Sequence, residues 1–200
     1  MVAPALTPRV AEKSDRRRIV LVTGFDPFGG DALNPSWLIA QRLHRRRVAG
    51  HLVQAAQLPT RFDAALPRLH ALLAEWRPAL VVCLGLAASR GALSIERVAI
   101  NVLDARIADN AGAQPVDEPV VAGAPVGYFS TLPIKAMCQA VLAAGVPAEV
   151  SQTAGTFVCN QVFYGLMHRL ATARGFRRTR GGFIHVPPLP EQAPHGLPLE

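Results

Sequence analysis

The stretch Arg18-Ile19-Val20-Leu21-Val22-Thr23-Gly24 carries the clearest signal for the fold class of this chain. Its apolar residues run continuously instead of alternating with polar ones, a pattern typical of a strand buried on both faces. Residues 79–85 and 182–186 have the same character. Strands of this kind form parallel or mixed sheets covered by helices, so the sequence predicts an α/β fold.

Helical periodicity occupies much of the chain between these strands. Asn34 can cap a helix whose first position is Pro35, a residue that suits that place. Helices are expected at about residues 34–46, 62–76, 133–144 and 159–174. Further strands are expected at about residues 52–58, 94–103 and 148–151. This order predicts a three-layer α/β/α single domain with a central, mostly parallel (mixed) sheet.

Two segments lack any periodicity. Residues 104–130 are rich in Gly, Pro, Asp and Asn, so we expect loop or a short hairpin there. Loops of that length in compact domains are usually functional. Residues 1–17 mix Pro, Ala and charge and are interpreted as a disordered leader, which leaves residues 18–200 as the folded domain.

The cysteine content indicates the cellular compartment. Cys83, Cys138 and Cys159 are widely spaced and odd in number, so they do not form a disulfide framework. The N-terminus has no apolar signal segment, and a cytoplasmic location is therefore expected. No apolar run approaches the length of a membrane span, so a membrane partner is not expected.

The formal net charge of +7 comes largely from clustered arginines. Such clusters can bind nucleic acid. They fall before a strand, at a helix end and in a loop, without interleaved aromatic residues. We therefore interpret them as solvated surface, and nucleic acid is not the expected partner. The clusters are residues 16–18, residues 45–47, and Arg174, Arg177, Arg178 and Arg180.

The junction between the strand at 148–151 and the helix after it places a cysteine in an unusual position. Thr156 is the expected N-cap, and Gly155 permits a sharp turn, so Cys159 falls in the first turn of the helix. The helix dipole and free N–H groups there favour thiolate over thiol, as a nucleophile requires. The alternative is a buried cysteine that only packs, the interpretation we give to Cys83 in its apolar strand.

A nucleophilic cysteine needs a base and a group that orients the base. His168 is nine residues after Cys159 on the same helix, about 180° around the axis, and cannot reach it. His185 lies near the end of an apolar strand and is the preferred base. Glu96 lies within an apolar strand and is the preferred orienting group, although spacing alone leaves the loop carboxylates open. Those are Asp104, Asp109, Asp117 and Glu118.

The loop at residues 25–30 follows the first buried strand, where open α/β sheets bind their ligands. Phe25 and Phe28 could line a pocket there. The loop is rich in glycine, yet the chain has neither a G-x-G-x-x-G run nor a P-loop lysine, so nucleotide binding is poorly supported. The chain also has no H-E-x-x-H and no C-x-x-C pair, so neither a metal nor a cofactor is expected.

Five motifs in unbroken order carry a specific family resemblance. They are residues 22–30 with 34–35, residues 94–99 with 101 and 104–107, residues 128–133, residues 154–160 and residues 182–187. Together they resemble the pyroglutamyl peptidase I family (pyrrolidone-carboxylate peptidases, cysteine peptidase family C15), which removes N-terminal pyroglutamate from peptides. The likeness runs from about residue 18 to about residue 192.

The resemblance implies a catalytic triad of Glu96, Cys159 and His185, and it settles the choice of carboxylate. The implied reaction passes through a thioester on Cys159, with peptides that begin with pyroglutamate as substrates. Arg106 is implied near the oxyanion, beside the backbone N–H of Cys159. The implied pyroglutamate pocket comprises Phe25, Phe28, Thr60, Ile107, Phe157 and Val158.

Two positions depart from the family pattern. Leu86 stands where many members carry glutamine. Family members continue into a final helix after the Pro-Glu-Gln segment, and we expect this chain to lack that helix. Since such a helix would cover apolar surface, we expect a homo-oligomer, a dimer or tetramer, or a marginally stable monomer.

Three other functions stay open from sequence. One is a family member with impaired catalysis. A second is an enzyme of the nucleoside phosphorylase kind, because the predicted fold is phosphorylase/hydrolase-like. A third is a basic RNA-contacting domain, whose binding would weaken steeply with salt.

Overall fold

The computed structural model of the protein describes residues 19–192. The predicted leader at residues 1–17 lies outside the described residues. The segment after residue 192, in which we expected no final helix, lies outside them too.

Strands and helices alternate along much of the described chain. The strands are β1 (Ile19–Phe25), β2 (Arg47–Val48), β3 (His51–Leu58), β4 (Leu80–Leu86), β5 (Leu93–Glu96), β6 (Val98–Ile100), β7 (Gly127–Phe129), β8 (Ala148–Ser151) and β9 (Arg180–Val186). The α-helices are α1 (Pro35–Leu43), α2 (Ala65–Trp76), α3 (Ile134–Ala143) and α4 (Val158–Thr172). Short 3-10 helices occur at Arg174–Phe176 and Pro190–Gln192.

A seven-stranded sheet in the order β2-β3-β1-β4-β9-β5-β8 forms the centre of the fold. Its parallel pairs are β1–β3, β1–β4, β4–β9 and β5–β8. Its antiparallel pairs are β2–β3 and β5–β9. The predicted mixed, mostly parallel sheet of an α/β protein is therefore confirmed.

Helices cover both faces of this sheet. Helices α2 and α4 pack together over one face, whose core includes Leu21 and Phe183. Helix α1 covers the other face, where Val22 and Val53 form a smaller core. Successive residues of β1 thus enter different cores, and this explains why the strand reads as one continuous apolar run.

The predicted strand at residues 94–103 is wrong as a single element. It breaks at Arg97 into β5 and β6, and β6 leaves the main sheet to pair antiparallel with β7. The cause is a contact with α4: the Asn160 side chain accepts from the Ile100 N–H and donates to the carbonyls of Ile100 and Val102. An amide side chain on the helix therefore takes up backbone groups that a continuous strand would have offered to the sheet.

Two helix boundaries also differ from expectation. Helix α1 ends at Leu43 rather than near residue 46, because Arg45 has a φ of 62° and the chain has already turned into β2. Helix α2 begins at Ala65 rather than residue 62. Pro67 then falls in its first turn, where the missing N–H breaks no helical hydrogen bond. Between residues 19 and 192, the helices are all too short or too polar to span a bilayer.

Candidate active site

Glu96 and His185 come from the neighbouring antiparallel strands β5 and β9. His185 pairs directly with Ser94, and Glu96 is two residues further along β5. Cross-strand partners and residues two apart share one face of a sheet, so both side chains project to the same side. Phe183, two residues before His185, packs into the core beneath α4, so this is the face that α4 covers.

The His185 ring is hydrogen-bonded to the Glu96 carboxylate, with Nδ1 2.7 Å from Oε1. An ionised carboxylate only accepts, so Nδ1 is the donor and Nε2 is left as the second ring nitrogen. Glu96 is fully buried, and Oε2 has no hydrogen-bond partner among the described residues. Arg90 Nη1 is the second donor to Oε1, also at 2.7 Å.

Cys159 reaches the same face of the sheet from above. It is the second residue of α4 and is half-buried. Its Sγ lies over Gly85 of β4, and Gly85 pairs in register with His185. No hydrogen bond joins Sγ to the His185 ring within the described part of the chain; such bonds in substrate-free sites often tighten only when substrate binds. The three residues predicted as a triad thus converge on one face of the sheet.

The surroundings of Cys159 act against the thiolate that its place in the first turn of a helix was expected to favour. Burial, reinforced by the negative charge of Glu96, raises the pKa of the Cys159 thiol to about 12. Desolvation disfavours the charged form of a thiol, and here it outweighs the helix N-terminus. The surroundings of Cys159 therefore favour the thiol, and a neighbouring base would assist its ionisation.

Thr156 does not cap α4, and that prediction is wrong. The N-cap position belongs to Phe157, with no side-chain cap bond. Thr156 Oγ1 instead donates to the carbonyl of Asp104 at 2.7 Å, and the Asp104 N–H donates to the carbonyl of Thr156 at 3.1 Å. Gly155 has a φ of 74°, so the sharp turn does require glycine, as predicted. The junction is thereby fixed to the loop that follows β6.

A cavity of about 540 Å³ opens beside Cys159. Six of the seven residues predicted to bind substrate line it, namely Phe25, Phe28, Thr60, Arg106, Ile107 and Phe157. The seventh, Val158, is not among the lining residues, because its side chain is fully buried in the core between α4 and the sheet. Leu86, the departure from the family pattern, also lines the cavity.

Aromatic contacts and the hydrogen bonds of two aspartates hold the segments around the cavity. The Phe157 ring lies 5.3 Å from Phe28 and 5.1 Å from Phe62 between centroids. Asp26 Oδ1 accepts from both the N–H and the hydroxyl of Thr60 at 2.7 Å. Asp109 accepts from the N–H groups of three loop residues, Phe62, Ala111 and Ala113. The loops that line the cavity are thus held by buried or half-buried hydrogen bonds.

Sequence reasoning missed the roles of Arg90, Asn160 and Asp26 in building this site. Asn160 and Asp26 fall within the quoted motifs, but their contacts span 58 to 60 residues and 34 residues of chain. The arginines of the two described clusters are exposed and do not line the cavity. In residues 19–192 no group of three or more His, Cys, Asp and Glu side chains is arranged to hold a metal ion.

Comparisons with known proteins agree with this geometry. The family model "Pyroglutamyl peptidase" matches residues 18–197. A pyrrolidone-carboxylate peptidase from Cupriavidus pinatubonensis is 58% identical over 176 residues, which cover 88% of this chain and 81% of the relative. One from Bacillus cytotoxicus is 52% identical over the same coverage.

Solved structures point the same way. Pyroglutamyl peptidase I from Bacillus amyloliquefaciens superposes with a TM-score of 0.86 at 43% identity, covering 90% of this chain and 86% of its own. The pyrrolidone carboxyl peptidase from Thermococcus litoralis gives 0.83 at 39% identity, covering 88% and 79%. Fold and matches define a cysteine peptidase of the α/β type. The chain belongs to the pyroglutamyl peptidase family.

Proposed function

We propose that this peptidase hydrolyses the bond after an N-terminal pyroglutamyl residue, with Cys159 as nucleophile, His185 as acid and base, and Glu96 as the group that orients His185. The observation that carries the proposal is the 2.7 Å contact between His185 Nδ1 and Glu96 Oε1 on the sheet face that Cys159 reaches. It leaves Nε2 as the base, a division of roles known from serine triads.

In the first half of the reaction His185 Nε2 takes the proton of Cys159 as Sγ attacks the pyroglutamyl carbonyl carbon. A base is necessary because the pKa of the resting thiol is about 12. The tetrahedral intermediate collapses, the C–N bond breaks, and the imidazolium gives its proton to the leaving amine. A thioester between Cys159 and the pyroglutamyl group remains.

Water completes the cycle. His185 Nε2 accepts a proton from the water that attacks the thioester carbon, and the Cys159 sulfur leaves and recovers its proton. Free pyroglutamate is released. Developing negative charge on the carbonyl oxygen is stabilised by the Cys159 N–H at the start of α4 and by Arg106, which lines the same cavity.

The cavity suits a small uncharged ring. Phe25, Phe28, Phe157 and Ile107 supply apolar contacts for the ring carbons, and Thr60 supplies a polar edge. Pyroglutamate has no charged amine, whereas an N-terminal proline does, and an apolar wall penalises that charge.

The reaction as written uses no metal or cofactor, and peptides that begin with pyroglutamate are the partners. We further propose that the protein acts in the reducing cytoplasm, since its three cysteines are free, and that it assembles as a homo-oligomer.

The direct test compares two fluorogenic substrates, pyroglutamyl-aminomethylcoumarin and prolyl-aminomethylcoumarin. We expect release of the fluorophore from the first only. Discrimination by a ring carbonyl in a site built for it can reach roughly 10⁴-fold. Equal rates on the two substrates would refute the pocket, and no release from either would refute the proposed function.

A further inference from the structure

Arg90 makes three side-chain contacts that join two parts of the candidate active site. It lies in the connection between β4 and β5, and its side chain is 25% exposed. Nη1 donates to Glu96 Oε1 at 2.7 Å and to Ser151 Oγ at 3.2 Å. Nη2 donates to the carbonyl of Thr153 at 2.9 Å. One guanidinium thus connects Glu96 to the segment between β8 and α4.

The first consequence concerns the charge of Glu96. Its carboxylate is fully buried, and an isolated buried charge is costly unless it is paired and hydrogen-bonded. The neutral His185 ring supplies one N–H but no positive charge. Arg90 is permanently cationic and contacts the same oxygen, so it compensates the carboxylate before His185 becomes protonated.

The second consequence concerns the segment that leads to the nucleophile. Ser151 Oγ donates to the carbonyl of Thr153, and Thr153 Oγ1 accepts from the N–H of Gly155. Arg90 anchors this series of short-range bonds at both Ser151 and Thr153. Since Gly155 makes the turn into α4, the position of Cys159 relative to Glu96 and His185 depends on this anchor.

We propose that Arg90 is a positioning residue of the peptidase, which compensates and orients Glu96 and fixes the turn that carries Cys159. This inference rests on the proposed function. The Arg90 charge also acts on Cys159 itself: burial and then Glu96 raise the pKa of the thiol to about 12, whereas Arg90 lowers it. Removing the cation therefore makes the thiolate harder to form.

The chain offers a matched control in Arg97. Its Nε donates to Gln152 Oε1 at 2.8 Å, so it also joins the end of β5 to the end of β8, but it makes no hydrogen bond to Glu96. Arg90→Gln and Arg97→Gln each remove one guanidinium and one link between these segments. Only Arg90→Gln removes the cation from Glu96.

The experiment measures kcat and KM on pyroglutamyl-aminomethylcoumarin, together with the pH dependence of iodoacetamide alkylation at Cys159. For Arg90→Gln we expect kcat to fall about 10- to 100-fold, the range for losing a charge-assisted hydrogen bond, with little change in KM. The alkylation profile should shift to higher pH by about half a unit or more. Arg90→Lys keeps the positive charge but not the planar guanidinium with its two donor nitrogens, so it should recover part of kcat. Arg97→Gln should resemble the wild type.

Thermal unfolding of each variant separates positioning from loss of fold. If Arg90→Gln is too unstable to assay, Arg90→Lys carries the test, with a reduced kcat at wild-type melting temperature as the expected result. The proposal is overturned if Arg90→Gln, or Arg90→Lys in its place, matches Arg97→Gln in kcat and in its alkylation profile. A wild-type protein that fails to cleave the substrate would refute the proposed function instead, and the alkylation profile would still decide the role of Arg90.

Discussion

Gly85 leaves the space that the Cys159 sulfur occupies. A methyl group on the Gly85 Cα would lie 2.8 Å from Sγ and 2.7 Å from Cζ of Phe183, both closer than van der Waals contact allows. Gly85 pairs with His185 across β4 and β9, so the missing side chain opens the sheet surface next to the proposed base. A glycine that is required for a close approach, and not for a turn, is thus part of the site.

Gly85→Ala should therefore displace the nucleophile while the fold survives. We expect kcat to fall on the order of 100-fold, the cost of a misplacement of about 1 Å in a reacting group. Overpacking should destabilise the protein by about 1 to 3 kcal/mol. Gly91→Ala is the control. Gly91 lies in the connection between β4 and β5, and a methyl group on its Cα would meet nothing within 4 Å. Equal kcat values for the two variants would show that Sγ does not depend on the space above Gly85.

Glu96→Gln and His185→Ala should differ in severity. His185→Ala removes the proposed base and acid, and kcat should fall on the order of 10⁴-fold or more. Glu96→Gln keeps a side chain of the same shape but not the charge that favours imidazolium, so we expect a loss about 10 to 100 times smaller. Steady-state kinetics on the pyroglutamyl substrate measure both. A Glu96→Gln enzyme as impaired as His185→Ala would mean that Glu96 does more than orient the ring.

Asp109 should make the stability of the fold depend on pH. Burial acts to raise the pKa of Asp109, but the N–H groups of Phe62, Ala113 and Ala111 lower it below the usual 3.8. A carboxyl group whose folded pKa lies below its unfolded value stabilises the fold above the unfolded value. That stabilisation is lost as the pH falls through the folded pKa.

Asp109→Asn should therefore lower the free energy of unfolding at pH 7 by about 1 to 3 kcal/mol, since buried N–H donors lose a charged acceptor. The difference in the free energy of unfolding between Asp109→Asn and the wild type should shrink as the pH falls below 3.8. Asp63→Asn is the control, because Asp63 pairs with Arg61 at the exposed surface, where ion pairs contribute little. Thermal melts followed by circular dichroism at pH 7 and pH 3 would reveal the pattern; a constant difference at both pH values would argue against it.

Local pattern was enough to predict the mostly parallel sheet and the place of the candidate nucleophile at the start of a helix. β1 and β4 are covered on both faces of the sheet. Nearly every side chain in them therefore enters a core, and this produces the continuous apolar runs in the sequence. Cys159 was placed in the first turn of a helix from the glycine turn before it, and the structure has it there. His185 was likewise predicted near the end of a strand from the sequence alone, and it lies near the end of β9.

Contacts between distant segments could not be predicted in this way. Thr156 has the chemistry of an N-cap, but its hydroxyl bonds to Asp104, 52 residues away. The break at Arg97 depends on Asn160, whose side chain reaches β6 only in the folded protein. Arg90 was one of 21 basic residues without a distinguishing pattern, and its partners Ser151 and Thr153 lie 61 and 63 residues further on. Val158 was expected in the pocket, yet the rotation of α4 turns it into the core.

The central claim is that Cys159 is the nucleophile, and iodoacetamide labelling tests it most directly. The Cys138→Ala variant removes the half-exposed cysteine and leaves Cys159 and the fully buried Cys83. This variant should cleave the pyroglutamyl substrate like the wild type, and a metal chelator should not inhibit it. Peptide mass spectrometry at several times during inactivation should find the label on Cys159 in proportion to the activity lost. A label on Cys83 that tracks the loss, or a Cys159→Ala enzyme that turns over at the wild-type rate, would contradict the account.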